Sequence, residues 1–469
     1  MDPSRRRALY TLAACSAAPW LPACGLAPAR PTPAAADPWA EAEALRGRIR
    51  RPEFARRDFP VTRYGGVGDG VSDETAAFAR AVAACAAAGG GRVIVPAGRW
   101  STGPIHLKSG VCLHVDAGAE VRFVPDPKRH LPPVFTRWEG VELMGYSPLI
   151  YAFECEDVGL TGEGILDGGA DADHWWPWKG GDWARPGVPQ QHAGRRALFE
   201  AAERGVPVAE RVFAEGAYLR PPFVQTYRCR RVLIEGVTLR AAPFWLIHPV
   251  LCEDVVVRGV TCASLGPNSD GCDPESCRRV WIEGCIFDTG DDCIAIKSGR
   301  NADGRRLAVP SEDILIENCR MRAGHGGVVI GSEISGGMRN LYVQDVAMSS
   351  PDLERGLRIK TNARRGGRIE NLNYRRIRVG EVGDLFVINF YYEEGADGDH
   401  LPQVGGIRIE DLHCAQARRI FHLRGFPDAP IGEIRLRGLR IDRADILGTV
   451  EYAPSLRLED VWIGGWRRF

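Results

Sequence analysis

The chain has 469 residues, 45% of them hydrophobic, and 60 basic side chains balance 60 acidic ones. This composition excludes a disordered or membrane-embedded protein, and zero net charge builds in no general attraction to nucleic acid or other polyanions. The length is large for one compact core, whereas a solenoid grows along one axis without limit.

Residues 1–27 read as an export signal. Ser4-Arg5-Arg6-Arg7 precedes an apolar stretch from Ala8 to Ala23. The paired arginines resemble a twin-arginine signal, which carries folded cargo. Leu21-Pro22-Ala23-Cys24 resembles a lipoprotein box, with Pro22 atypical; in that reading Cys24 is the lipidated first residue. An ordinary cleaved secretory signal is the alternative. Both predict an exported protein, periplasmic, secreted or anchored by lipid. No later segment supplies the ~20 apolar residues of a membrane span.

Residues 28–58 are Ala/Pro-rich, then helical and charged, which predicts a linker and an N-terminal cap. A β-helix domain is expected over 59–469. Gly68-Asp69-Gly70 signals a turn. Asp73 is placed to cap a helix through about Ala88, ended by Gly89-Gly90-Gly91. Arg92–Pro96 then reads as a strand, and the helix would shield the first coil of a solenoid.

The strongest pattern is a repeat: two apolar positions flanking one residue, a bend at Gly, Asn or Asp, then two more. Its second apolar position falls at Ile234, Val257, Ile282, Ile316, Val343, Tyr374, Ile409, Leu436 and Leu458. Alternation with period two marks strands, and uneven spacing marks loops of varying length. Weaker copies lie near Leu113 and Leu160. The pattern predicts an all-β, right-handed parallel β-helix of about ten coils with an N-terminal capping helix. Asn318, Asn340 and Asn371 are placed to stack as turn amides. Twelve of the fourteen Cys follow the signal segment. They read as small apolar core residues, with Cys272 and Cys277 the first to consider as exceptions.

Residues 168–222 interrupt the rhythm. This insertion carries Trp175, Trp176, Trp178 and Trp183, then a helix expected from His192 to Arg204. It reads either as a lid or groove wall or as aromatics packing the insertion down. A smaller excursion covers 393–405.

Four polar motifs follow in order: Asn268-Ser269-Asp270-Gly271, Gly290-Asp291-Asp292, Gly324-His325-Gly326 and Arg358-Ile359-Lys360. Asp291 lies nine residues after Ile282, and His325 nine after Ile316, so the two occupy one place on adjacent coils. Asp270 falls close to one coil earlier. Arg358 and Lys360 fall one coil later and share a face, with Ile359 inward. A turn at Gly290 lets Asp291 and Asp292 both face a groove. Four coils at ~4.8 Å per strand extend over roughly 15 Å, a length that grips a few sugar units. Glycoside hydrolysis needs one protonated carboxyl and one ionised carboxylate, and clustered acids split their pKa values in that way. His325 is placed to tune the proton, while Arg358 and Lys360 suit the carboxylate of a uronic acid. Lys297 reads as a support behind the carboxylates or as a plain edge charge. Asp273, Glu275 and Asp288 read as turn or ladder residues.

Taken together, the four motifs resemble the signatures of the polygalacturonases, glycoside hydrolase family 28, over roughly residues 60–465; Ser269 stands where Thr is usual. The resemblance implies hydrolysis of α-1,4-galacturonosyl bonds in polygalacturonate and pectic oligosaccharides, with inversion and without metal or other cofactor. It implies Asp291 as general acid, Asp270 and Asp292 as activators of water, and His325 as an assistant to the acid. Arg358 and Lys360 would hold substrate carboxylates, Asn268 would position the site, and either Tyr391 or Tyr392 would contact substrate. The loops suggest exo-action. A Ca²⁺-dependent pectate lyase, a rhamnogalacturonan hydrolase and a non-catalytic glycan-binding β-helix are the competing readings.

Overall fold

In the computed structural model the described residues are 37–464 and 466–468. The export signal expected at 1–27, including Cys24, lies outside them. Among the described residues no helix is long and apolar enough to cross a membrane.

The repeat read from the sequence is the register of the sheet. Ile234, Val257, Ile282, Ile316, Val343, Tyr374, Ile409, Leu436 and Leu458 are successive parallel partners. The ladder continues backwards through Leu160 and Leu113 to Val93 and Phe59. Thirteen rungs therefore stand where about ten coils were expected. The extra rungs lie at the N-terminal end, where the repeat is too weak in sequence to count. The chain winds into a right-handed parallel β-helix.

Backbone conformation explains the bends. Two residues after each ladder position stand Gly236, Gly259, Gly284, Asn318, Asp345, Asp411, Gly438 and Asp460, all with φ between +52° and +81°. Gly, Asn and Asp enter this left-handed region at least cost. Arg376 takes the same place with φ +52° and no such advantage. At another corner Asp313, Asn340 and Asn371 stack, with amide bonds of 2.8 and 2.9 Å. Asn318 belongs to the first set of bends, not to this stack.

Inward side chains form one continuous core from Val61 to Val461. All twelve described cysteines are buried and unpaired, Cys272 and Cys277 included, so no disulfide exception exists among them. Cys229, Cys252 and Cys277 stack on successive coils, each N–H donating to the next sulfur at 3.4 Å.

Helix α1 (Pro38–Arg48) was expected within a linker and cap. It lies instead along the outer wall, where Ala42 and Leu45 meet Leu315 and Tyr342. Arg46 fixes it through two hydrogen bonds to Glu317, of 3.0 and 2.6 Å. Helix α2 (Thr75–Ala87) is the true cap. Asp73 accepts from Thr75 N at 3.1 Å, and Phe78 and Val82 are buried beneath the helix. Gly68-Asp69-Gly70, expected as a turn, leads directly into the strand Asp69–Asp73.

Two excursions shape the site. A hairpin, Val134–Trp138 with Val141–Gly145, lies over the strands Ile150–Phe153 and Val224–Tyr227. Thr136 and the Arg137 carbonyl both bond Gln225 there. The insertion carries helix α3 (His192–Glu203), one residue shorter than expected. Its aromatics divide in role. Trp175, Trp178 and Tyr218 pack edge-to-face on one another. Trp176 donates to the Ala242 carbonyl at 2.9 Å. Trp183 packs edge-on against Trp176 and faces a cavity.

Candidate active site

The three aspartates are brought together by close approach of coils. Gly290 sits against the preceding coil, where a Cβ would come 2.3 Å from the Gly266 carbonyl. Only glycine permits that approach, and it sets Asp291 beside Asp270. One carboxylate oxygen from each of Asp270, Asp291 and Asp292 lies within 4.8 Å of the others. Gly326 on the next coil leaves room for Asp292, since a Cβ there would approach its Oδ1 to 3.0 Å.

His325 stacks on Asp291 as the coil register predicts. Its backbone N–H donates to the Asp291 carbonyl at 3.0 Å, and Nδ1 lies 3.1 Å from Oδ1. On the far side Nε2 lies 3.6 Å from Glu354. Arg358 and Lys360 arrive one coil later, from the strand Arg355–Lys360, with Ile359 in the core. Lys360 Nζ donates to Asp292 Oδ2 at 2.6 Å, and Arg358 Nη1 to Oδ1 at 3.3 Å. Asp292 is 0% exposed, so it does not face the groove with Asp291 as expected. It is the buried anchor of the two cations.

Asn268 adopts φ +54° and accepts from Arg220 Nη2 at 2.7 Å. Arg220 also donates to the Pro243 and Pro267 carbonyls, at 2.9 and 2.7 Å. One buried arginine thus ties the insertion to the first motif. Tyr392 lies under Lys360 and Arg358, with ring centroid distances of 5.3 and 5.6 Å. Tyr391 packs against Phe426 and Arg424 beside the core and does not line the cavity. Both tyrosines lie in the turn that follows the strand Arg368–Asn389, and of the two only Tyr392 lines the cavity.

A cavity of about 600 Å³ opens over these groups, with Asp270, Asp291, His325, Arg358 and Lys360 on its floor. Its walls come from segments without repeat character. Lys179–Trp183 and Arg195 belong to the insertion, Glu139 to the hairpin, and Glu393 to the small excursion. Sequence reasoning missed Glu139, Arg195, Trp245 and Glu333 at this site. Only the unusual aromatic density near Trp183 hinted at a wall.

Charge in the cluster is shared unevenly. Burial, then the charge of Asp291, pushes the Asp270 carboxyl well above its ordinary range. Burial also acts to raise Asp291. The hydrogen bond and charge of His325, with Lys360 and Lys297, outweigh it and hold Asp291 below the usual carboxylate range. The same bond raises His325 to about 9 against the opposing effect of its burial. Burial and the like charge of Asp291 thus favour the protonated form of Asp270, while His325 favours the ionised form of Asp291. The Asp270–Asp291–Asp292 spacing is also compatible with a bound cation, but Lys360, Arg358, Lys297 and His325 already supply positive charge at its edges.

A cleft of this size on a β-helix, with clustered carboxyls beside an imidazole and fixed cations, defines an acid–base glycosidase. The profile described as glycosyl hydrolases family 28 matches residues 214–418. A hyperthermoactive exopolygalacturonase from Thermotoga maritima superimposes with TM-score 0.88 at 44% identity, covering 92% of this chain and 97% of that one. A probable polygalacturonase of Vitis vinifera is 28% identical over 81% of this chain and 73% of its own. An exo-poly-alpha-D-galacturonosidase of Dickeya chrysanthemi is 26% identical over 70% of this chain, which spans 56% of that enzyme. A polygalacturonase from Erwinia carotovora, at 20% identity and TM-score 0.65, shares the fold. The chain belongs to glycoside hydrolase family 28.

Proposed function

We propose that the protein hydrolyses α-1,4-galacturonosyl linkages of polygalacturonate and pectic oligosaccharides, from chain ends and with inversion. The observation that carries this reading is the shared cavity of Asp270, Asp291, Arg358 and Lys360. It places proton donors beside cations that recognise a uronate carboxylate. Names among the relatives, two of them exo-acting, agree with that substrate class and mode.

The roles follow from exposure and charge. Asp291, more exposed than Asp270 or Asp292, is the general acid. It must first gain a proton. The proton favoured on Asp270 passes within the cluster to Asp291, making Asp270 a base and Asp291 an acid in one step. Asp291 then protonates the glycosidic oxygen while the C1–O bond breaks. Asp270 takes a proton from the water that bonds to C1, and Asp292, buried behind the floor, holds Lys360 and Arg358 in place. His325 holds Asp291 in place and balances its charge once that carboxyl is ionised again. Arg358 and Lys360 hold the substrate carboxylate over Tyr392, and Asn268, fixed by Arg220, borders the same floor. Protein cations at the cluster's edges make a catalytic metal unnecessary.

End-wise cutting is supported by the walls at Lys179–Trp183, Arg195, Glu139 and Glu393. The hairpin covers the face on the coils before the site, so a polymer is accommodated from the other side. Export rests on the arginine-containing leader alone. Chromatography of early products from polygalacturonate tests the mode. Only short products of fixed length are expected, and a broad oligomer ladder at early times contradicts end-wise cutting.

A further inference from the structure

Lys297 follows the Gly-Asp-Asp motif, directly after the strand Ile294–Ile296, and is 2% exposed. Its ammonium has an unusual set of neighbours. Asp270 Oδ2 lies 3.6 Å away, Asp273 Oδ2 3.9 Å and Glu333 Oε2 3.2 Å. The Trp245 ring centroid lies 4.2 Å from Nζ. One buried cation thus serves three carboxyl groups, and none of them holds it exclusively. Asp273 is 0% exposed, and neither of its oxygens has a hydrogen-bond partner; Asp270 Oδ1 also lacks one. Glu333 divides its attention with Arg300, at 3.5 Å.

We propose that Lys297 is a positioning residue that decides which carboxyl of the cluster carries the catalytic proton. This inference rests on the acid–base roles assigned above. A positive charge 3.6 Å from Asp270 favours its ionised form; the ammonium makes no ion pair with Asp291, which bonds His325, so it acts on both carboxyls but more strongly on Asp270. Lys297 therefore tilts the proton from Asp270 towards Asp291, the arrangement that reaction requires. Lys360 does not substitute, because its ammonium is held on Asp292. Glu333 opposes the effect by drawing the ammonium away from Asp270. Burial of the lysine is countered by these same carboxylates, which keep it charged.

The test is the pH profile of kcat on polygalacturonate. Lys297→Met should lower kcat at least about tenfold and leave KM within about threefold. It should also move the acid limb upward by about one pH unit or more, the scale of an opposite charge within 4–6 Å. Lys297→Arg should return the limb towards wild type. Glu333→Gln should move it downward, because the ammonium is then freer to face Asp270; this variant carries the test if Lys297→Met does not fold. Reduced kcat with an unmoved limb in Lys297→Met, or an unmoved limb in Glu333→Gln, would overturn the proposal. A wild-type protein inert on polygalacturonate would instead overturn the underlying functional reading.

Discussion

His325 and Asp291 are 34 residues apart and touch twice, backbone to backbone at 3.0 Å and ring to carboxylate at 3.1 Å. The first contact is an ordinary rung of the solenoid. The second turns that rung into an ion pair that moves both partners away from their usual titration ranges. Structure and chemistry here share one hydrogen-bond ladder.

The pair makes a pH prediction. His325 is raised from 6.5 to about 9, so the stabilisation it brings is present in full below 6.5 and is lost as pH rises through about 9. Its side chain is 46% exposed, so solvent screening reduces the effect. Thermal unfolding of wild type should lose some stability between pH 6.5 and 9 relative to His325→Gln. Parallel curves for the two proteins would show that the ion pair has no such weight.

Lys360 and Asp292 form a buried pair, so binding is not the only thing Lys360 supports. Lys360→Ala should raise KM and also destabilise the fold, by less than the about 3–5 kcal/mol of a wholly unpaired buried charge, because Asp292 keeps Arg358 at 3.3 Å. The double variant Lys360→Met with Asp292→Asn should recover much of that stability and none of the activity. Denaturant titration of the three proteins checks this. A single variant as stable as wild type would remove Asp292 from the pair.

Chelation separates hydrolase from lyase. Dialysis against a chelator should leave the rate on polygalacturonate unchanged, and no ultraviolet-absorbing unsaturated product should form. A chelator-sensitive rate with such a product would assign the cluster to Ca²⁺ and to elimination.

Stereochemistry is a sharper trial. Inverting enzymes usually separate their carboxyls by ~6.5–9.5 Å and retaining ones by ~5–5.5 Å. The cluster here brings one oxygen of each carboxyl within 4.8 Å of the others, a nearest-oxygen spacing rather than that carboxyl separation. Asp270 and Asp291 both line the cavity, so Asp270 can activate a water while Asp291 acts alone as acid. Proton NMR of the first product should therefore show the β-anomer. Initial α-anomer would mean retention and a covalent role for one aspartate.

Much of this arrangement was legible in the sequence. All eight spacings between repeat positions became strand pairings, because inward apolar residues fix the register of every coil. The same register placed His325 on Asp291. What escaped came from outside the repeat. Glu139, Arg195 and Glu393 reach the cavity from a hairpin, an insertion helix and a loop, whose paths no periodicity constrains. Asp292 read as a groove residue, because alternation does not foresee both cations of the strand Arg355–Lys360 turning onto it. Tyr391 and Tyr392 were indistinguishable because the turn that carries them has no periodicity; it packs one against Phe426 and the other under Lys360. Asp273 and Glu275 read as turn or ladder residues; Glu275 does bridge Val250 and Lys297, but the full burial of both, Asp273 against Lys297 and Glu275 against His248, was not foreseen. Helix α1 has too weak an apolar face to announce the outer wall it covers.

The most direct trial compares reducing-sugar release by wild type and Asp291→Asn on polygalacturonate and on an uncharged galactan. Wild type should act on the charged polymer and be nearly inert on the neutral one. Asp291→Asn should lose about 10²–10⁴-fold in rate with unchanged circular dichroism. Equal turnover of both polymers, or undiminished turnover by Asp291→Asn, would contradict an acid cluster working beside uronate-binding cations.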